Sequence, residues 1–389
     1  MRILVLAPHP FYIDRGTPID VDILVRALTE LGHEVHLVTL HAGEDRDYEG
    51  LTIHRIEAPK GIGMPSPGFS GAKLKCDVKL YKLAKKLVRE LKPDVIHAGE
   101  EAVFIARWFK ARHKIPYVYD MDSSIAQQMV EQMGALKPFA PLFHAFEGIG
   151  VKGAVACAPV CHALADLAQK QGAKRFVTLH DISQLDVDSL KPTGWLREKC
   201  GIGADSTMLV YCGNLQTYQG VDLLIEGMKE AIDAGADVDA VIAGGEPDQI
   251  RAYEQKADAL GIGGRIHLIG RWPADKLGEL LIEADILTAP RTKGINTPQK
   301  VFPYLHTGRA VLVTDLPTHS QILTQDICRL APADPAGFGS AIRELAENKE
   351  ERDSLGKAGK AFAERQHVYE AHKHRVKELY TMVVEAISS

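Results

Sequence analysis

Short apolar runs recur along the whole chain, and most are followed by a longer stretch with apolar residues three and four apart. In the first half the runs are ILVLA, EVHLVTL, LTIHRIEAP, DVIHAG, PYVYDMD, AVACAPV and RFVTLHDI. In the second half they are MLVYCGN, DAVIAGG, RIHLIGR, ILTAPR and AVLVTD. Many are unbroken rather than alternating, as expected of strands covered on both faces. Helical stretches between them imply right-handed crossovers and parallel sheets. The pattern restarts near Thr207. Before it, residues 183–206 hold no long apolar run but do hold Pro192, Gly194, Gly201 and Gly203. A length of 389 residues is too great for one ordinary core and fits two.

The predicted fold is therefore α/β, with two Rossmann-like doubly wound domains. The first spans 1–190, a linker 191–205, and the second 206–370. A final helix over 371–389 carries Val376, Leu379, Tyr380, Val383, Val384 and Ile387 on one face. So full a stripe must dock, and the expectation is that it crosses back to the first domain.

Other classes are disfavoured. A net charge of −5 gives no global basic field for nucleic acid. The first run, Ile3 to Ala7, is shorter than the core of a secretory leader and is followed by Pro8. No run approaches the length of a membrane span, so the expected location is cytoplasmic. Cys157, Cys161 and His162 lack a second ligand pair at zinc spacing, and no metal is expected there.

Ligands of open parallel sheets bind beyond the carboxyl ends of the strands, which directs attention to the loops that follow them. After the first strand come Arg15, Gly16 and Thr17, where glycine lets a ligand approach a helix N-terminus. The loop is not a G-x-G-x-x-G fingerprint, so a nicotinamide or flavin cofactor is not expected. In the second half the strand-following loops hold Gly213-Asn214, Gln219, Gly244, Gly270-Arg271-Trp272, Arg291 and Lys293. Thr297-Pro298 is read as a helix start with Lys300 in its first turn. A cation there opposes the helix dipole and points to a neighbouring anion. Arg271, Arg291, Lys293 and Lys300 together suit a diphosphate.

These segments, in this order and spacing, resemble the family 4 retaining glycosyltransferases of GT-B fold. The resemblance rests on GHEVHLVT, KPDVIHAG, MLVYCGNLQTYQGVDLLIEGM, AVIAGG, the run from LGIGGRIHLIGRWPADKL to ILTAPR, and TPQKVFPYLHTGRAVLVTD. It implies two domains facing a cleft and transfer of a sugar from a nucleotide-diphosphate donor with retention. The diphosphate charge would be met by side chains rather than by a metal, with no cofactor. Gly213, Gly244 and the Gly270–Trp272 loop lie where the family cradles phosphate and base. Five positions depart from the family pattern. Asn214 and Gln219 stand where it has the diphosphate Arg and Lys, Ile295 and Pro303 where it has two carboxylates, and Asp122 where it has a histidine. Arg291, Lys293 and Lys300 are the candidate replacement cations. Asp122 is the candidate catalytic group, and it equally fits a cap for the helix SSIAQQM.

Two other readings stay open: a GT-B sugar-nucleotide epimerase, and a lapsed GT-B domain serving as a binding subunit. The acceptor implied by the resemblance is a glycan, a lipid-linked sugar or a small molecule. Residues 73–92 form a basic amphipathic helix that could rest on the inner membrane face, or simply be a solvated outer helix.

Overall fold

The computed structural model describes residues 1–13, 16–63, 70–132 and 134–388, with side chains at 131–136 outside that description. The chain forms two compact units. The first joins Met1–Asp181 to Tyr369–Ser389, and the second is Ile182–Val368.

In the first unit the strands are β1 (Arg2–Leu6), β2 (Glu34–Thr39), β3 (Leu51–Arg55), β4 (Val95–Gly99), β5 (Tyr117–Met121) and β6 (Ala156–Pro159). They lie in the order β3-β2-β1-β4-β5-β6, every pair parallel. The run RFVTLHDI adds only a bridge from Phe176 to Cys157, although its backbone continues to bond along β6. The second unit holds β7 (Thr207–Cys212), β8 (Val238–Ala243), β9 (Ile266–Gly270), β10 (Ile286–Ala289), β11 (Ala310–Thr314) and β12 (Arg329–Ala331). Their order, β12-β11-β10-β7-β8-β9, is again all parallel. Each sheet reverses direction beside its first strand, between β1 and β4 and between β7 and β10. Such switch points leave a crevice at the strand ends.

The unbroken apolar runs are explained by helices on both faces. In the first unit, one face of the sheet packs α2 (Gly71–Leu91), α3 (Ala102–His113) and α5 (Ala140–Gly153) through Leu80, Phe109 and Val151. The other face packs α1 (Gly16–Glu30) and the terminal helix Tyr369–Ser388. Two further helices, α4 (Ile125–Gln132) and α6 (His162–Lys170), follow β5 and β6.

The terminal helix therefore belongs to the first unit. Val376, Leu379, Tyr380 and Val383 are buried against it, whereas Val384 and Ile387 at the far end stay exposed. Lys373 ion-pairs with Glu30 of α1 at 2.7 Å, and the Arg26 guanidinium covers the Tyr369 ring. Leu379→Ala is expected to destabilise the first unit by about 2–5 kcal/mol, the cost of a buried leucine cavity. A lower urea midpoint checks it.

The stretch 191–205, expected as a linker, is part of the second unit. It carries the helix Trp195–Cys200, with Leu196 fully buried. Glu283 accepts from the backbone N–H of Thr193 (2.6 Å) and Gly194 (2.8 Å). A buried carboxylate thus satisfies a turn whose glycines alone looked like free chain.

Candidate functional site

Three glycines stand side by side at the ends of β7, β8 and β9. The Gly213 N–H donates to the Ala243 carbonyl at 3.0 Å and the Gly244 N–H to the Gly270 carbonyl at 2.6 Å. A Cβ at Gly244 would strike the Gly213 carbonyl, and one at Gly213 would strike the Lys300 Nζ. Bare backbone at this edge is therefore a steric requirement of the Lys300 position.

Lys300 lies at the β7–β10 switch point. Its ammonium donates to the Tyr211 hydroxyl (3.0 Å) and the Gln219 Oε1 (3.2 Å), and rests 4.1 Å from the centroid of the Tyr211 ring. The Tyr211 hydroxyl in turn donates to the Asn214 carbonyl at 2.6 Å. Burial pulls the Lys300 amine down to about 7, against the opposing pull of Cys212, and the neighbouring Arg291 lowers it further. A cation held this reluctantly gains from any anion brought beside it.

Arg291 follows β10, with its guanidinium 5.1 Å from the Tyr218 centroid and Nη1 donating to the Asn296 carbonyl at 3.0 Å. Lys293 is exposed and lines an open cleft of about 470 Å³ with Leu215, Gln216, Thr217, Tyr218 and Gln249. Tyr218 borders both cations. Behind them His319 is fully buried, its Nδ1 within 3.0 Å of the Thr314 carbonyl. Burial drops it to about 3, so the ring is neutral at pH 7.

Other expected positions fall differently. Arg271 is exposed and ion-pairs with Glu246, at the head of the helix Pro247–Ala259. Trp272 stacks on Trp195 at 5.1 Å, a partner from the supposed linker. Asn214 is exposed and folds into its own loop, its Oδ1 accepting from the Gln216 N–H at 3.2 Å. Thr297 is buried but does not begin the helix, which spans Val301–His306. The turn before it closes from the Val301 N–H to the Pro298 carbonyl, leaving Lys300 at the helix cap. Tyr211 was not legible as a site residue, because it sits in an apolar run and reads as core, whereas Tyr218 and His319 fall in strand-following loops of the same edge.

In the first unit, Gly16 and Thr17 open α1, and Arg15 lies outside the described residues. Asp122 follows β5. The cap of α4 is Ser124, whose Oγ accepts from the Gln127 N–H at 3.2 Å, while Glu147 accepts from the Ser124 Oγ (3.0 Å) and the Ile125 N–H (2.7 Å). Asp122 is thus not that cap. It belongs instead to a group of acids at the strand ends. Burial raises Asp122 well above the usual carboxylate range, and Asp120, Glu100 and Asp181 add to it. Asp20 of α1 is raised in the same way, by burial and then by Asp181 and Asp122, and Asp181 is pushed up to about 7, chiefly by burial. His97 bridges this group to the terminal helix, with Nε2 3.1 Å from Asp120 Oδ2 and Nδ1 3.0 Å from the Tyr380 hydroxyl. Among the described residues no group of three His, Cys, Asp or Glu is disposed to hold a metal ion.

Of residues 73–92, all but Lys92 lie on α2, and Lys92 is its C-cap. Its apolar stripe, with Cys76, Leu80 and Leu87, faces the sheet. Lys73 is buried and ion-pairs with Asp77 and Glu101, and Lys79 reaches Glu57. Lys75, Lys82, Lys86 and Arg89 remain exposed. Among the described residues no helix is long and apolar enough to cross a membrane.

Comparison with known proteins agrees with this architecture. Residues 16–180 match the model of the glycosyl transferase 4-like domain, and residues 206–348 that of the glycosyl transferases group 1. The chain belongs to the group 1, family 4-type glycosyltransferases. It is 24% identical to the D-rhamnosyltransferase WbpZ of Pseudomonas aeruginosa over 343 residues, covering 85% of this chain and 82% of the relative. Two similar solved structures are sucrose-phosphate synthase of Thermosynechococcus elongatus and Anabaena HepE in complex with UDP and glucose. The first has a TM-score of 0.76 at 15% identity, covering 99% of both chains. The second has a TM-score of 0.72 at 13% identity, covering 98% of this chain and 99% of the other. These two likenesses speak to the GT-B fold.

Proposed function

We propose that this chain transfers a hexosyl group from a nucleotide-diphosphate sugar to an acceptor, with retention of configuration and without a metal or other cofactor. The observation that carries the reading is Lys300, a half-buried amine at the switch point of the second sheet with Arg291 beside it. Glycosyl transfer builds negative charge on the leaving diphosphate, and preorganised cations stabilise charge where it develops. Lys300, Arg291 and Lys293 would take that role, in place of the Arg and Lys that Asn214 and Gln219 replace. Bare backbone at Gly213, Gly244 and Gly270 admits the phosphates. Trp272 and Thr297 would border the nucleoside, and Arg271 its rim.

The first unit would bind the acceptor, a glycan or a lipid-linked sugar. There Asp122 keeps its proton and can donate to a hydroxyl. Asp181, balanced near neutrality, can take the acceptor's proton. The relatives support a sugar donor: one is named a rhamnosyltransferase, another is described with UDP and glucose. A cytoplasmic location fits such donors.

Incubation with a panel of UDP-, GDP- and ADP-sugars tests the reading. Release of the nucleoside diphosphate is expected with one donor class and should persist in excess EDTA. No release from any donor, with nucleotide still bound, would leave a binding subunit. Conversion of the sugar without release would mark an epimerase. Loss of activity in EDTA, restored by a divalent ion, would refute the metal-independent form.

A further inference from the structure

Nine large apolar side chains among the described residues are exposed, and seven of them lie on α2, α3 and α5 or at their caps. These three helices share one face of the first sheet. The densest group is on α5. Phe139, Leu142, Phe146 and Ile149 are spaced along a single side of it, with Leu142 65% exposed. Ordinary surfaces carry such residues singly, and a contiguous stripe marks an interaction site. The interior of the protein does not account for this one, since the buried side of α5 is already packed through Val151 and Gly150.

What surrounds the stripe identifies the occupant. Between Pro138 and Ile149 the only acid is Glu147, which is turned inward and bonded to Ser124, Ile125 and Gln171. Lys137 and Lys152 flank the stripe. At its C-terminal end the Lys110 Nζ donates to the Gly153 carbonyl at 2.7 Å, with the Arg107 guanidinium beside the same glycine. Burial lowers the Lys110 amine, and Arg107 and Lys174 lower it further, so cations gather at this end of the stripe. The adjoining α3 holds no acid over Ala102–His113 and exposes Trp108. An apolar stripe bordered by cations and an interfacial tryptophan is complementary to an anionic bilayer surface, where apolar side chains enter the acyl boundary and cations meet headgroup phosphates. A second copy of the chain fits poorly. A two-fold contact through this patch would set the same cations against one another.

We propose that α5, supported by α3 and the outer face of α2, is a docking surface for an anionic lipid bilayer. The apolar stripe of α5, rather than the basic run of α2, is the element that enters it. This deepens the lipid-linked acceptor reading, yet vesicle binding needs neither donor nor acceptor, so its failure and that of the transfer reading are separable. The test uses the whole protein with equimolar phosphatidylglycerol–phosphatidylcholine vesicles, and with phosphatidylcholine alone. Sedimentation with the anionic vesicles is expected, with release in about 0.5 M salt. The double variant Leu142→Glu, Ile149→Glu should bind at least about tenfold more weakly, and Lys137→Gln with Lys152→Gln roughly tenfold more weakly. Both sites are exposed, and an unchanged circular dichroism spectrum and donor affinity verify the fold. Four results overturn the proposal: wild-type protein left in the supernatant, equal binding to neutral vesicles, retention by the double variant while Lys82→Gln with Lys86→Gln releases, or a wild-type dimer that Leu142→Glu converts to monomer.

Discussion

Replacing Lys300 by alanine is expected to weaken binding of the nucleotide sugar by about 10- to 100-fold, the equivalent of one charge-assisted contact of roughly 1.5–3 kcal/mol. The fold should survive, because the Tyr211 hydroxyl keeps its hydrogen bond to the Asn214 carbonyl without Lys300. Lys300→Arg should not restore affinity. A guanidinium is wider than an ammonium, and Gly213 already runs too close to Nζ for a single added carbon. The pH dependence sharpens the test. Because the free amine titrates at about 7, it is charged below that pH and neutral above it. Donor binding favours the charged form, so affinity should fall as pH rises above 7, by up to about tenfold per unit, with proton uptake on binding. A nucleotide sugar is the right probe. Its bridged diphosphate holds its charge over this range, whereas a terminal phosphate titrates near 6. Calorimetry at pH 6 and pH 8 reads the effect, and an affinity unchanged by pH or by Lys300→Ala removes Lys300 from the site.

The fold was legible because a strand covered on both faces must be apolar throughout. ILVLA and AVLVTD could be nothing exposed, and their alternation with helices left parallel sheets as the only arrangement. The glycines were legible for a similar reason: Gly213 and Gly244 end strands, and strand ends are where a doubly wound sheet meets its ligands. What stayed hidden depends on partners distant in sequence. Arg271 ion-pairs with Glu246, on another loop, a partner that nothing near it in the sequence foretells. The stretch 191–205 looks like linker until Glu283 satisfies its backbone. The helix signal at Thr297-Pro298 was real turn chemistry, but it closes a turn from the Val301 N–H to the Pro298 carbonyl, and that turn leaves Lys300 at the cap. Tyr211 itself sits inside an apolar run, where an aromatic reads as filling.

The acids of the first unit were the least legible feature. Asp20, Asp120, Asp122 and Asp181 come from a helix, a strand and two loops, and only the topology gathers them at one sheet edge. Each alone looks like a cap or a surface charge. Their gathering predicts a large kinetic effect. Asp181→Asn is expected to lower kcat by about 10²- to 10⁴-fold, the usual range for a lost proton-transfer group. Donor KM should barely change, since the cations proposed for the donor belong to the second unit. Asp122→Asn should cost much less, because an amide can still donate a hydrogen bond where the carboxyl kept its proton. The pH profile separates chemistry from structure. Asp181 titrates at about 7, so kcat should rise through pH 7 as the base ionises, and this limb should vanish in Asp181→Asn. Stability runs the other way. The folded-state value lies above the ordinary 3.8, so between about pH 4 and 7 the folded chain holds a proton that the unfolded chain has lost. That stabilisation is complete below the lower value and disappears as pH rises through the upper one. The thermal midpoint of the wild type should therefore decline from pH 5 to pH 8, and Asp181→Asn should flatten the decline. If the variant flattens the melting curve but leaves kcat and its pH limb intact, the acid cluster is structural, and the acceptor's proton goes to another group.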